Sequence, residues 1–368
     1  MKTLILSCNT GEGHNSCAKA VKEYYDLQGV ECNIEDALSF IKKYVSSVTA
    51  KGHIFLYRHL PQLFNWGYSF AEKHPSTFGE RSFVYNLIAL GAKKLNRLIC
   101  DNGYEVVICT HPFAAVMLTE VINRYETVVR SALIATDYTC SPSVKESKLD
   151  YYFIPDKGLK PEFVCENIRD DSIIPSGIPV KQAFFSSIDK AEAKTKVGID
   201  PKNKHIVMMS GSMGCGPIAD IVEFITNEIT SGCELTVICG TNERLREELL
   251  EKLSDRDNVH INGFVSDIST MLDSADVYLT KPGGISTTEA AVKGLPMLFI
   301  DAVAACETYS LLWFVGAGVA AIGEAEKELA DICISLLDDE ERFAEMQKSY
   351  CNVNRKNAAK IVFETFEK

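Results

Sequence analysis

The chain has 368 residues, 46% of them hydrophobic, with 38 basic and 50 acidic side chains and a formal net charge of −12. That length and apolar content suit two domains with sizeable cores and exclude disordered or collagen-like chains. The acidic balance excludes a protein built chiefly to neutralise nucleic-acid phosphates, so no nucleic-acid partner is expected.

The 13 cysteines are odd in number, with no CxxC pair and no Cys/His metal spacing, which fits buried thiols in a reducing cytoplasm better than a disulfide framework or a zinc site. The amino terminus meets Ser7 and Asn9 after only a few apolar residues, too short a run for a secretion signal. The longest apolar stretch, Leu311 to Ile322, carries two glycines and is too short to span a bilayer. Any membrane contact is therefore expected to be peripheral.

In chain order, Lys2 to Ser7 reads as a strand, followed by the glycine turn Asn9-Thr10-Gly11-Glu12-Gly13-His14 and a helix from Asn15 to Tyr25. Phe40 to Arg81 comes next: 42 residues holding nine of the 34 aromatics and six basic against two acidic side chains. A basic, aromatic, amphipathic stretch in an acidic protein is what an anionic membrane surface would hold. Strands follow at Val106–Cys109 and Ala132–Ala135, and Val180 to Lys204 reads as an interdomain linker.

The strand, glycine turn and helix grammar then returns at Ile206–Met209, Ser210-Gly211-Ser212-Met213-Gly214 and a helix carrying Ile218, Ile221, Val222 and Ile225. Strands at Leu235–Cys239, Val259–Ile261, Val277–Leu279 and Met297–Ile300 complete the second half. Runs apolar on both faces and separated by helices predict two α/β domains with parallel, doubly wound sheets. Ligands sit outside the carboxyl ends of such strands, so the residues just after each strand are the candidates, on two sets of loops facing a central cleft.

Lys281-Pro282-Gly283-Gly284-Ile285-Ser286-Thr287-Thr288-Glu289 follows a strand and opens a helix, a place where free amides and the helix dipole suit a diphosphate. Ser286 or Thr287 can add a hydroxyl, and Glu289 can accept from a ribose diol. Neither glycine loop is a Walker loop, and the first lacks the third glycine of the dinucleotide fingerprint, which disfavours nicotinamide chemistry. His14, at the first glycine loop, is a candidate general base; Asp137 is a candidate to orient it or to serve as base instead. His111 reads as structural. Asp255-Arg256-Asp257 has a metal-binding spacing but lies before a strand, at the wrong end of the sheet, and no metal site is expected.

Taken together, Thr10-Gly11-Glu12-Gly13-His14 with Ala18 and Ala20, Lys51-Gly52 with Pro61 and Tyr68, Thr110-His111-Pro112-Phe113, Thr136-Asp137-Tyr138, Ser176-Gly177-Ile178-Pro179-Val180, Gly263-Phe264-Val265 and Lys281-Pro282-Gly283-Gly284 with Glu289 resemble the diacylglycerol glycosyltransferases. These are the monogalactosyldiacylglycerol synthase and processive diacylglycerol glucosyltransferase group, related to the peptidoglycan N-acetylglucosaminyltransferase. The resemblance runs through nearly the whole chain in order.

It implies a GT-B fold, with an acceptor domain over 1–185, joined by a last helix over 344–368, and a donor domain over 186–343. It also implies inverting transfer of a hexose from UDP-glucose or UDP-galactose to diacylglycerol or a related lipid, with no metal and no cofactor, by a cytoplasmic enzyme on the inner face of the membrane. Carried over by position, Gly283, Gly284, Ser286 and Thr287 would bind the diphosphate, Glu289 the ribose, Gly263, Phe264 and Val265 the uracil, and Ser212 with Glu307 the phosphate and sugar. His14 would activate the acceptor hydroxyl. Gly11, Gly13 and His111 complete the acceptor side, with Lys42, Lys43, Phe55, Trp66 and Tyr68 of the basic aromatic stretch. Ala304-Ala305-Cys306-Glu307 stands where the family commonly has Pro-Gly-Gln-Glu. The rival readings are an epimerase or hydrolase of the same fold acting on a soluble nucleotide sugar, and a UDP-sugar-binding protein without catalysis.

Overall fold

The structure, a computed structural model, describes residues 1–9, 11–41, 79, 82–211, 216–300 and 305–367. The chain divides into two compact units, one comprising Met1–Gln182, Val303–Tyr309 and Lys356–Lys368, the other Ala183–Ala302 and Ser310–Arg355.

The first unit is built on six parallel strands, β1 (Thr3–Ser7), β2 (Cys32–Asp36), β3 (Val106–Cys109), β4 (Arg130–Ile134), β5 (Tyr151–Ile154) and β6 (Ile173–Pro175), in the order β2-β1-β3-β4-β5-β6. β1 pairs with β2 from Thr3 opposite Cys32 and with β3 from Thr3 opposite Val106. Its helices are α1 (Glu12–Leu27), α2 (Phe83–Ala89), α3 (Ala92–Asn102), α4 (Pro112–Tyr125) and α5 (Lys160–Cys165). The central strands are closed to solvent on both faces: Leu4, Ile5 and Leu6 of β1 and all of β3 are fully buried, the pattern that a parallel sheet covered by helices requires. The order turns back between β1 and β3, so the loops after those two strands flank the switch point where such sheets bind ligands.

The second unit repeats the plan with β7 (Lys204–Met209), β8 (Cys233–Ile238), β9 (Val259–Asn262), β10 (Val277–Thr280), β11 (Met297–Phe299) and β12 (Ala320–Ile322), all parallel in the order β12-β11-β10-β7-β8-β9. Its switch point lies between β7 and β10. The helices are α6 (Lys190–Lys196), α7 (Ile218–Glu228), α8 (Glu243–Lys252), α9 (Ile268–Ser274), α10 (Gly284–Lys293), α11 (Ala305–Gly316, which starts in the first unit), α12 (Glu326–Asp338) and α13 (Glu340–Ser349). Ile221, Val222 and Ile225 of α7 meet Leu235, Val237, Leu279 and Leu298 of the sheet and Leu329, Cys333 and Leu336 of α12 in one core.

One expectation is qualified here and one corrected. The division between the units falls inside 180–204, after Gln182, but that segment is not irregular throughout. Asp189 accepts hydrogen bonds from the amides of Ala191 and Glu192 and so starts α6, while Lys194 turns inward to Asp276 at 2.8 Å, so part of the segment's polar character is structural. Nor is there one helix over 344–366. α13 ends at Ser349, residues Tyr350–Asn352 form a short 3-10 turn, and Asn357 caps a separate final helix, Ala358–Glu367, by accepting from the Lys360 amide. Asn357, in taking the Lys360 amide, gives the last helix a start of its own. The final helix packs in the first unit, with Phe363 edge-on to Tyr25 at 4.9 Å and Phe366 edge-on to Tyr151 at 5.7 Å.

Candidate active site

In the first unit the loop after β1 leads through Gly11 into α1, which carries His14 near its start. Gly11 is extended, with φ 179° and open space where a Cβ would stand. Its value therefore lies in leaving room above the loop, since any residue adopts that conformation. His14 is half-buried. Its Nδ1 lies 2.7 Å from the carbonyl oxygen of Thr110, which follows β3. A carbonyl only accepts, so Nδ1 carries the proton and the lone pair of the neutral ring is on Nε2. Among the described residues, Nε2 has no hydrogen-bond partner. The Thr110 hydroxyl answers by donating to the His14 carbonyl at 3.1 Å, which pins the helix start to the neighbouring strand end.

The Thr136 hydroxyl oxygen, after β4, lies 3.1 Å from the same Nδ1, and Asp137 stands next to it. Burial lowers the His14 imidazole below its ordinary range, against the opposing pull of Asp137 and of the Thr110 carbonyl. Burial raises the Asp137 carboxyl, while His14 and hydrogen bonds from Cys306 and Thr136 draw it back down. A ring held neutral, tautomerically fixed and close to a carboxylate is equipped to take a proton through Nε2 and to be stabilised once charged.

His111 has the opposite tautomer. Its Nδ1 accepts from the Phe113 amide at 3.0 Å and so caps α4, and its ring stands edge-on to that of His14 at 4.4 Å. It is 8% exposed and buttresses the His14 ring. Cys306 and Glu307, in the first turn of α11, belong to the same unit. Burial first, and then the nearby Asp137 carboxylate, push the Cys306 thiol well up, so it serves as a neutral donor to that carboxylate.

In the second unit both switch-point loops carry glycine. Gly211, after β7, has φ +66°, a left-handed conformation that favours glycine. After β10, Lys281 and Pro282 are buried and Gly283 stands as the N-cap of α10 with no side chain capping the helix. The opening amides of α10 are thus left to a ligand or water. Thr287 does not present a hydroxyl outward. It is fully buried and donates to the carbonyl of Gly283 at 2.9 Å, with Gly284 at 3.2 Å, stapling the glycine turn from below. Ser286 is half-buried, with its hydroxyl 3.3 Å from the Gly283 carbonyl. Thr287→Val is expected to cost about 1–3 kcal/mol in urea unfolding, with Thr287→Ser restoring most of it.

Glu289 is half-buried on α10. Gly263, Phe264 and Val265 follow β9, and Phe264 is 75% exposed, an aromatic face open to a planar base. Ser212, Lys42, Lys43, Phe55, Trp66 and Tyr68 lie outside the described residues. Asp255, Arg256 and Asp257 are an exposed turn at the amino end of β9, as expected. Among the described residues no cluster of three or more His, Cys, Asp or Glu side chains could hold a metal ion, and no helix is long and apolar enough to cross a membrane.

Sequence reasoning quoted Thr110 and Thr136 without giving them a role, because the decisive acceptor is a backbone carbonyl. It missed Arg246, whose buried Nε has no hydrogen-bond partner among the described residues and lies 3.7 Å from where a Cβ on Gly263 would stand.

The fold is GT-B. Solved structures that share it include Acinetobacter baumannii MurG, with a TM-score of 0.65, 13% identity and coverage of 100% of this chain and 99% of that one. The UDP complex of S. aureus MnaA has a TM-score of 0.64, 13% identity and coverage of 99% and 95%. In sequence, residues 14–180 match the family model of monogalactosyldiacylglycerol (MGDG) synthase. The processive diacylglycerol beta-glucosyltransferases of Bacillus pumilus (strain SAFR-032) and Bacillus subtilis (strain 168) are each 24% identical over 367 residues, covering 99% of this chain and 94% of theirs. The enzyme of that name from Staphylococcus carnosus (strain TM300) is 25% identical over 350 residues, covering 94% and 87%. The resemblance to the diacylglycerol glycosyltransferases is borne out along nearly the whole chain.

Proposed function

We propose that the protein transfers a hexose from UDP-glucose or UDP-galactose to diacylglycerol or a related membrane lipid, with inversion and without a metal or other cofactor. The observation that carries this reading is the His14 ring, whose Nδ1 proton is fixed on the Thr110 carbonyl so that Nε2 is left as base. The names of the relatives favour diacylglycerol as acceptor and glucose as donor.

In this reading the first unit serves the acceptor and the second the donor, at the cytoplasmic face of the membrane and against its anionic surface. Nε2 takes the acceptor hydroxyl proton as that oxygen bonds to the anomeric carbon. The bond from that carbon to the diphosphate oxygen breaks and its electron pair leaves with UDP. Asp137 stabilises the imidazolium that forms, and the uncapped start of α10 at Gly283 and Gly284 takes up the charge growing on the diphosphate. Glu289 would hold the ribose, Phe264 the uracil, and Glu307 the sugar.

The test is incubation of the protein with diacylglycerol in mixed micelles and each UDP-hexose in turn, with chelator present, following UDP release and lipid mass. A hexosyl lipid is expected from at least one donor. UDP release without a glycolipid would move the reading to hydrolysis or another acceptor, and UDP binding with no release from any donor would leave a binding protein.

A further inference from the structure

Asp137 has no direct hold on the base. Nδ1 of His14 lies 2.7 Å from the Thr110 carbonyl oxygen and 3.1 Å from the Thr136 hydroxyl. Among the described residues no hydrogen bond joins the Asp137 carboxylate to either ring nitrogen. Yet the two groups are coupled. Burial lowers the His14 imidazole, and the Asp137 charge is the first force opposing it; burial raises the Asp137 carboxyl, and the His14 charge is the first opposing that.

Donor and acceptor chemistry identifies the group between them. The Thr110 carbonyl carries no proton, so Nδ1 does, and a second oxygen in reach of that proton can only accept it. Thr136 Oγ1 therefore takes a share of the Nδ1 proton and keeps its own to give. The Asp137 carboxylate receives it, since the Thr136 side chain hydrogen-bonds to that carboxyl and draws it down. Thr136 stands two residues beyond β4 and is 7% exposed, so little water competes for either contact.

The other groups packed against the pair supply no such link. The Thr110 carbonyl is uncharged, and His111 meets the ring edge-on with its Nδ1 spent on the Phe113 amide. Cys306, with Glu307 beside it, lies on the Asp137 side.

We propose that Thr136 is a positioning residue of the reaction: its hydroxyl bridges the His14 Nδ1 proton and the Asp137 carboxylate, so that the carboxylate steadies the imidazolium through it. No proton crosses the bridge. The N–H and O–H bonds both stay intact, and their hydrogen bonds tighten as the ring gains a proton at Nε2. The inference rests on the proposed role of His14 as base for its place in catalysis, but the bridge itself is read without turnover. A threonine that only filled space beside the ring would need its methyl group and not its hydroxyl.

The experiment is a pH titration of the His14 imidazole by NMR of the full chain with isotopically labelled histidine, the resonance assigned by its loss in His14→Gln. Thr136→Val, nearly isosteric but without the hydroxyl, is expected to titrate at lower pH than wild type, because the imidazolium has lost its link to the carboxylate. Thr136→Ser should titrate close to wild type. Asp137→Asn should also titrate lower, and T136V/D137N little lower than the single variants, since two cuts in one path do not add. The nitrogen shifts should keep the proton on Nδ1 throughout, because the Thr110 carbonyl remains. In turnover, Thr136→Val should lower kcat about tenfold, leave KM for the UDP-sugar near wild type and move the acid limb of the pH profile down, with Thr136→Ser restoring both rate and limb.

Should valine not fold, as circular dichroism would show, Thr136→Ala takes its place. An imidazole that titrates as in wild type without the hydroxyl would overturn the proposal. So would a serine variant as impaired as valine, or shifts of the two single variants that sum in the double one. Any of these beside normal glycolipid formation would leave the transferase reading intact. A bridge confirmed by titration in a protein that transfers no sugar would instead fault the function.

Discussion

Replacing His14 with alanine is expected to lower kcat about 10²- to 10⁴-fold, with UDP affinity unchanged because in the proposed reaction His14 acts on the acceptor hydroxyl and not on UDP. Histidine 14 has only one nitrogen to offer. Nδ1 is spent on the Thr110 carbonyl at 2.7 Å, and Thr136 crowds the same atom at 3.1 Å. His14→Gln, which places an amide near the ring's position without a titratable lone pair, should be as inactive as alanine.

The pH profile follows from the same environment. Burial holds the imidazole below its ordinary value of about 6.5, so kcat/KM should stay level down through that pH and fall only at more acid values, where the ring is finally protonated. Asp137→Asn removes the charge that favours the imidazolium. It should push the acidic limb still lower and reduce the plateau, and a limb moving upward would show that Asp137 is not coupled to the base.

The second large effect is on stability. Asp276 precedes β10, and its carboxylate accepts from Lys190 and Lys194, both at 2.8 Å, and from the His205 amide at 2.8 Å. Burial pushes its carboxyl up, yet Lys190 and the hydrogen bonds together hold it below the ordinary range. Lys194 is only 5% exposed and also donates to the Asn203 carbonyl at 2.6 Å. Asp276→Ala would leave that ammonium buried without a counter-charge and orphan the His205 amide, a loss of about 3–5 kcal/mol by urea unfolding. Asp276→Asn keeps an acceptor but not the charge and should lose less. Because the folded carboxyl is depressed below its unfolded value of about 3.9, its contribution is present in full above that pH. It is lost as pH falls through the lower folded value. A variant as stable as wild type would show that the cluster is balanced by its own desolvation.

The edges of both sheets were the hardest part of the fold to read from sequence. β1, β3, β7, β8 and β10 are fully buried or nearly so and announce themselves as apolar runs. β2 reads Cys-Asn-Ile-Glu-Asp, β6 is Ile-Ile-Pro, and β12 is Ala-Ala-Ile. All three are edge strands, where one side needs no partner and polar or short sequences suffice. They escaped notice for that reason, although the edge strand β9 was read and the interior strand β5, Tyr-Tyr-Phe-Ile, was not.

The site was legible in a similar, partial way. His14 and Asp137 stand out because a titratable side chain just after a strand is unusual. The Thr110 carbonyl and the Phe113 amide, which give His14 and His111 opposite tautomers, have no sequence signature at all. Thr287 was misjudged because a hydroxyl beside a glycine turn reads the same whether it faces a phosphate or, as here, the carbonyls beneath it.

The most direct test of His14 as a base acting in a single displacement is the anomeric configuration of the glycolipid, read by the proton coupling at the new glycosidic carbon. UDP-glucose and UDP-galactose carry the sugar in the α configuration, so one in-line attack by a deprotonated acceptor hydroxyl yields a β-linked lipid. An α-linked product would require a second displacement or front-side return, and would contradict His14 as the base of a one-step transfer.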